Sequence, residues 1–302
     1  MPTQWAQELV EHFRISPRFQ EPMKLHTSLR VGGAADIFLQ PDSLAELKKA
    51  ILFAKKYNLP VTVLGGGTNI LVSDKGLRGV VIKLGPFFNK ITQEADGKLR
   101  VKAAVKTSSL VKRAQELGLS GLEFAWGIPG TVGGAVYMNA GAAGGAFSNL
   151  LTCVQVVNNE GELEEYAKEK LSFDYRQSVF QGRQLVITEC LLQLEPCSPE
   201  KIKEKMMALQ KKRLCSQPSL PSAGSVFKNP PGNFAGLLIQ KAGLKGFAIG
   251  DAQVSEVHAN FIVNRGNATA SDIYQLIQLV SERVKSQFNI SLELEIKILG
   301  DW

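Results

Sequence analysis

What this chain lacks narrows it first. No apolar run in its 302 residues is long enough to span a bilayer. Its first residues, MPTQWAQELVEHF, place Glu8 and Glu11 where a secretion signal would carry its apolar stretch, so a cytoplasmic protein with no membrane insertion is expected. The four cysteines, Cys153, Cys190, Cys197 and Cys215, form no CxxC pair and no Cys/His metal spacing. Reduced, packed thiols and no metal site are expected. Aromatic residues make up 8% and do not interleave with basic ones as in single-strand nucleic-acid binders. No GxGxxG opens a long helix, and no GK[ST] follows a glycine loop. The Rossmann and Walker readings therefore fail on context.

What is present is ordinary globular composition, 44% hydrophobic and 21% charged, in a length that suggests two or three domains. The formal net charge of +7 favours anionic partners, either nucleic acid or phosphorylated small molecules. The densest basic group, KIKEKMMALQKKR at 201–213, also holds Glu204 and reads as a solvated helix face.

The chain alternates helix and strand signals. SLAELKKAILFAKKYN has helical periodicity, with PDS before it to cap. LPVTVLGGG reads as a strand entering a glycine turn, and GVVIKL and KLRVKAAV read as strands. TSSLVKRAQELGL reads as a helix capped by Thr107 or Ser108. TCVQVVNNEGELEEY and LVITECLLQL are strand regions, with NNEG a turn. Past Pro196 come a helix, a Pro/Ser/Gly-rich stretch, the helix NFAGLLIQKAGL, the strand HANFIVNRG, a long amphipathic helix and a last alternating strand, ISLELEIKIL. That change of texture marks a second α+β domain from about residue 200.

Two glycine-rich stretches carry the chemistry. Gly65, Gly66 and Gly67 follow a strand directly, and successive N–H groups in such a turn can form an anion nest, with Thr68, Asn69 and Ser73 as neutral donors. Three glycines are also what a tight turn needs. The second stretch, 121–145, is crowded with glycine and alanine, and Glu123 is its one charged residue. Within it, GIPGTVGGAVYMNAG places Gly127, Gly130, Gly133 and Gly134 around Pro129. GGAVYMNA could begin a short helix aiming its N–H groups at a phosphate. Two such loops could clamp a pyrophosphate, or could simply let a helix pack closely on a sheet.

Six segments in order, HTSLRVGGAADIF, LGGGTNILVSDKGLRGVVI, GIPGTVGGAVYMNAGA, FDYRQSVF, PSAGSVFKNP and LELEIKILG, resemble the UDP-N-acetylenolpyruvoylglucosamine reductases over nearly the whole chain. The resemblance implies an α+β fold: a PCMH-type FAD-binding unit of two α/β subdomains, followed by an α+β substrate domain. On that basis residues 1–198 would bind FAD, with the subdomains split near residue 60, and 199–302 would bind substrate. FAD would lie non-covalently along Gly65, Gly66, Gly67, Thr68 and Asn69 on one loop and Gly127, Pro129, Gly130, Thr131, Gly133, Gly134 and Asn139 on the other.

The resemblance also implies a peptidoglycan-precursor reaction. NADPH reduces the flavin, hydride passes to C3 of UDP-N-acetylglucosamine enolpyruvate, and a proton reaches C2. Arg176 in DYRQS would hold the substrate carboxylate, Glu295 in LEIK would polarise it, and Ser225 in AGSVFKNP would give the proton. Asn229, Lys228 and His258 match substrate positions, though Lys228 reads equally as a structural ion pair and a lone strand histidine as a structural residue. A monomer is expected.

Departures stand at Ala34, where proline is frequent, at Ala143 and Ala146, where tyrosine and glutamate are common, and at Lys297, where arginine is usual. The alanines put cofactor affinity in doubt. The connection after YRQS lacks a tyrosine-bearing substrate loop, which implies the shorter, type II subclass with a more open pocket. Two rivals stay open. One is an oxidase on the same cofactor fold with covalent flavin, against which stands the absence of His12, His26 and His258 from both glycine loops. The other is a non-catalytic nucleotide or nucleic-acid binder.

Overall fold

The computed structural model describes Glu8, Leu9 and residues 17–302; the readings at Glu11 and His12 lie outside these residues. The chain forms two units. The first comprises Met1–Phe19, Ile37–Gly66 and Gly79–Lys212, and the second Gln20–Asp36, Gly67–Arg78 and Arg213–Trp302.

The first unit holds two hydrophobic clusters. One is built on helix α1 (Leu44–Lys56), whose Leu47, Ala50, Ile51, Phe53 and Ala54 are buried at helical spacing. Ser43 caps it: its hydroxyl accepts the Glu46 N–H at 3.1 Å, and the Glu46 carboxylate accepts the Asp42 N–H at 2.8 Å. These side chains pack with Ile37, Leu39, Val80, Ile82 and Phe88. Each large apolar side chain so buried contributes about 1.5–3 kcal/mol. The associated sheet runs Arg18–Pro22, Ala34–Leu39, Leu77–Lys83, Val61–Leu64, the last two strands parallel.

The second cluster lies on a five-stranded antiparallel sheet in the order Leu163–Ala167, Leu151–Val157, Val186–Gln193, Lys98–Lys102, Ile91–Gln93. Alternation points Leu99 and Val101 inward. The NNEG turn forms as read, with Asn158 Oδ1 accepting the N–H groups of Glu160 and Glu162, both at 2.9 Å. Helices α2 (Thr107–Glu116), α3 (Val132–Tyr137) and α4 (Pro199–Ser216) supply Leu110, Val136, Ile202 and Met206 to this core. No side chain caps α2: Lys106 is the cap residue, and the Thr107 N–H donates to the Gly130 carbonyl at 3.1 Å.

The second unit has a four-stranded antiparallel sheet, Ser222–Ser225, Phe261–Asn264, Ala252–Val254, Ala248–Ile249. Against it pack α5 (Ala235–Lys241), stopped at Gly243 with φ +72°, and α6 (Ala270–Phe288). A capping box starts α6: Thr269 Oγ1 accepts the Asp272 N–H at 3.0 Å, and the Asp272 carboxylate accepts the Thr269 N–H at 2.9 Å.

Both expected boundaries differ from the structure. The second unit is not a contiguous C-terminal block. Leu29, Val31 and Leu71 belong to its core, and Ile70–Val72 pairs in parallel with Lys297–Leu299. Apolar burial, not sequence order, therefore assigns 20–36 and 67–78 to it. Inside the first unit a split near residue 60 would part α1 from Val80 and Ile82, which share its core; the change of cluster comes after Phe88. The last strand is also shorter than ISLELEIKIL suggests. Leu294 bridges to Phe227, the N–H groups of Glu295 and Ile296 both turn to the Val226 carbonyl at 2.8 and 3.4 Å, and the strand begins at Lys297.

Candidate functional site

The two glycine loops of the first unit meet. A Cβ on Gly66 would lie 2.6 Å from the Gly130 Cα, and one on Gly65 would lie 2.7 Å from Thr131 Oγ1. The glycines there answer to each other's backbone first. Gly133 is packed for the same reason, since its Cβ would reach Ala103 Cβ at 2.9 Å. Gly134 is different: a Cβ would meet Thr131 Oγ1 alone, at 3.6 Å. Gly66, Gly127 and Pro129 are exposed beside it.

The helix reading needs correction. α3 has six residues, and two of its first N–H groups are already taken: Val132 donates to the Val105 carbonyl at 2.8 Å and Gly133 to the Ala103 carbonyl at 2.9 Å. The Gly134 N–H finds no protein acceptor among the described residues. What fits a pyrophosphate is a side-chain-free surface with a backbone donor at Gly134, rather than an open helix end. The residues present thus fit a dinucleotide cofactor on a neutral seam with no lysine among the loop residues. Glu123, the third residue of the 121–145 stretch, is structural. Burial opposes its charge, yet bonds from the Ser120 hydroxyl at 2.6 Å and the Gly121 N–H at 2.7 Å hold its carboxyl below the usual range.

Other cofactor candidates do different work. Gly67, with φ +64°, turns under the His26 carbonyl, where a Cβ would come to 1.8 Å. The Gly67 carbonyl accepts the Ser28 N–H at 2.9 Å, and Thr68 follows it in the turn. Asn69 grips the segment carrying Glu295: its Nδ2 donates to the Glu295 carbonyl at 3.1 Å, and its carbonyl accepts the Lys297 N–H at 2.9 Å. Asn139 is buried, its Nδ2 donating to the Asp174 carbonyl at 3.0 Å and its Oδ1 accepting the Ser148 N–H at 3.1 Å.

Arg176 occupies a two-residue turn between the paired residues Phe173–Asp174 and Gln177–Ser178. Its φ is +58°, a conformation costly for a residue with a side chain, and its guanidinium lies 5.1 Å from the Tyr175 ring centroid. A turn built for stability would hold glycine or asparagine there.

In the second unit Ser225 ends its strand opposite Phe261, half-buried. Lys228 donates its N–H to the Glu293 carbonyl at 2.8 Å, and its ammonium pairs with the Glu293 carboxylate at 2.5 Å. Asn229 Oδ1 accepts the Ala235 N–H at 3.0 Å, so this side chain caps α5. His258 Nδ1 accepts the Asn260 N–H at 3.2 Å, its ring lies 5.0 Å from Phe261, and burial pushes its pKa down. Lys228 and His258 thus carry the structural roles that competed with substrate contact, and Asn229 carries a capping role that the sequence did not suggest. Asn260 was missed by sequence reasoning. Buried, it bonds both the N–H and the carbonyl of Phe227, at 3.0 and 2.7 Å, and so fixes the strand end after Ser225. Its signal was a polar residue inside the apolar run HANFIVN.

Cys190 is buried, Cys153 and Cys197 are partly so, and Cys215 is exposed, so the packed-thiol expectation fails there; all four are free. Burial pushes the Cys153 thiol up to about 11. Among the described residues no helix is long and apolar enough to cross a membrane.

The model for an FAD binding domain matches residues 35–167, which carry the side-chain-free seam on a mixed α/β unit, and this sets the chain in an FAD-binding class. The model for the UDP-N-acetylenolpyruvoylglucosamine reductase C-terminal domain matches 217–299. A curated reductase of that name from Alkaliphilus metalliredigens is 44% identical over 93% of each chain. The crystal structure of the same enzyme from Thermus caldophilus superposes with a TM-score of 0.82 at 38% identity, covering 95% of this chain and 99% of that one. An alkyldihydroxyacetonephosphate synthase structure shares the fold alone, with a TM-score of 0.51 at 18% identity over 65% of this chain and 41% of that one. The chain belongs to the UDP-N-acetylenolpyruvoylglucosamine reductase family.

Proposed function

We propose that this protein reduces the enolpyruvyl group of UDP-N-acetylglucosamine enolpyruvate to give UDP-N-acetylmuramate, with NADPH as electron donor, as a cytoplasmic monomer in peptidoglycan precursor synthesis. The observation that carries the reading is the seam at Gly66 and Gly130, with an open backbone donor at Gly134, in a chain of this family. Bound FAD supplies the two-electron transfer from NADPH to C3 of the substrate.

The chain's own residues do the rest. The loops at 65–66 and 127–134 would hold the cofactor through backbone, with the Gly134 N–H as donor. Arg176 grips the substrate carboxylate bidentately as negative charge builds there, which its planar fork suits better than lysine would. Glu295, on a bend fixed by the Val226 carbonyl, orients that group. Ser225 delivers the proton to C2. Serine is a weak acid in water, so this role depends on positioning against a strongly basic carbon.

The test separates the half-reactions. Ser225→Ala should leave bleaching of the flavin band by NADPH within about twofold of normal. Return of the band on adding the enolpyruvyl substrate should slow by about 10²–10⁴-fold, the usual loss for a positioned acid. Stopped-flow absorbance reads both. A slow first step would make Ser225 part of the flavin site, and a normal second step would move the proton donor elsewhere.

A further inference from the structure

The hairpin carrying Arg176 is too small to hold its own shape. Two residue pairs, Phe173 with Ser178 and Asp174 with Gln177, flank the turn, and strands this short are marginal in isolation. The turn also carries the unfavourable φ of +58° at Arg176. Something outside the hairpin must hold it.

Gln181 is placed to do so. Its side-chain Nε2 donates to the Arg176 carbonyl at 3.1 Å and to the Tyr137 carbonyl at 3.0 Å. An amide nitrogen has two hydrogens, and the two carbonyls are its short acceptors; Met138 Sδ, at 3.8 Å, is a third and longer contact. Tyr137 is the last residue of α3, where carbonyls lack partners inside the helix. The same Tyr137 carbonyl accepts the Ser178 hydroxyl at 2.7 Å, which fills its second lone pair. Asn139 ties the other strand of the hairpin through the Asp174 carbonyl. Beside Gln181, Phe180 is fully buried and packs edge-on to Phe173 and Tyr166, with ring centroids 6.5 and 5.4 Å away. The amide thus projects from a fixed point, and its bonds run from the end of the glycine-loop helix to the carbonyl of the strained residue.

We infer that Gln181 is the positioning residue for Arg176, holding the turn so that the guanidinium is presented in one orientation. This rests on Arg176 being the carboxylate-binding residue. Glutamate cannot do the same, because its carboxylate would face two carbonyl oxygens, and methionine matches the shape without the donor.

The experiment uses the flavin-loaded full-length protein with Gln181→Met, Arg176→Lys and both together. Amide exchange should lose at least tenfold protection across 173–178 in Gln181→Met, while the strand Lys98–Lys102 keeps its own. Return of the flavin band with enolpyruvyl substrate should slow by about tenfold, the scale of one lost hydrogen bond, with NADPH bleaching unchanged. In the Arg176→Lys background the Gln181→Met change should add less than twofold, because a residue acting through Arg176 has nothing left to position. Unchanged protection at 173–178, equal slowing of both half-reactions, or full additivity in the double variant each overturns the inference. A wild-type rate in Arg176→Lys alone overturns instead the role given to Arg176, and the exchange result still decides whether Gln181 holds the turn.

Discussion

The glycine candidates of the first unit meet through atoms they lack, whereas the polar candidates Lys228, Asn229 and His258 of the second are already bonded. Gly66 lies against Gly130 because neither has a Cβ. Lys228, Asn229 and His258 are instead engaged with Glu293, Ala235 and Asn260. A side-chain-free surface is open to a ligand without rearrangement. A bonded polar side chain is open to one only after giving up a partner, which costs about 0.5–1.5 kcal/mol per neutral bond. A cofactor can therefore lie on the seam at no cost in existing bonds, whereas a substrate reaching Lys228, Asn229 or His258 must displace Glu293, Ala235 or Asn260.

The largest effects should come from the seam. Gly66→Ala forces a Cβ against the Gly130 backbone, and a loss of about 3 kcal/mol in unfolding free energy is expected by chemical denaturation, with little flavin retained. Gly134→Ala should do the reverse. Its Cβ makes only an ordinary contact with Thr131 Oγ1 inside a helix, so the apoprotein should gain about 0.5–1 kcal/mol while flavin affinity falls at least about tenfold by fluorescence titration. If both variants lose stability alike, or Gly134→Ala binds flavin normally, the distinction between packing glycine and ligand-facing glycine fails.

That distinction marks what the sequence could and could not say. The six motifs in order were enough for the family, because each is a local string. Helix α1 was legible from its periodicity and the PDS before it, and α6 from its amphipathic pattern. The non-contiguous second unit was not, because the burial of Leu29, Val31 and Leu71 against residues more than 150 positions away leaves no local pattern. Glycines facing a partner loop and glycines facing a ligand look the same in one dimension. Gln181 was invisible for a related reason: its acceptors are carbonyls, which every residue has.

Asn69 sharpens the comparison from inside a motif. By resemblance it belonged to the cofactor, yet its amide holds the Glu295 carbonyl. Asn69→Ala should cost about 1 kcal/mol of stability and slow substrate-driven return of the flavin band by about tenfold, with flavin occupancy unchanged. Flavin loss as the main effect would restore the cofactor role. Lys228→Met is expected to be milder. Its partner Glu293 is 71% exposed, so loss of the pair should cost about 0.5 kcal/mol or less, with KM for the enolpyruvyl substrate within about threefold of normal. A KM rise of tenfold or more would make Lys228 a phosphate contact despite its partner.

The smallest effect is a pH dependence at His258. Burial is the main cause of its lowered pKa, with the nearby Lys245 charge adding to it. Geometry agrees: Nδ1 accepts the Asn260 N–H, and protonation there would set two donors against each other. Above its ordinary value of about 6.5 the ring is neutral in the folded and the unfolded chain, and it adds no pH dependence. As pH falls below that value the unfolded chain takes up the proton first, so folding loses stability until the folded pKa is also passed. His258→Gln removes this term. Thermal unfolding between pH 7.5 and 5.5 should therefore show a smaller fall in Tm for the variant than for the wild type, with the two differing least at pH 7.5. The fall must be compared between the two proteins, since carboxylates also titrate at the lower end. Parallel curves would mean that the ring charges in place, in contact with solvent or with a group that accepts its proton. The histidine would then be open to a substrate phosphate rather than held by Asn260.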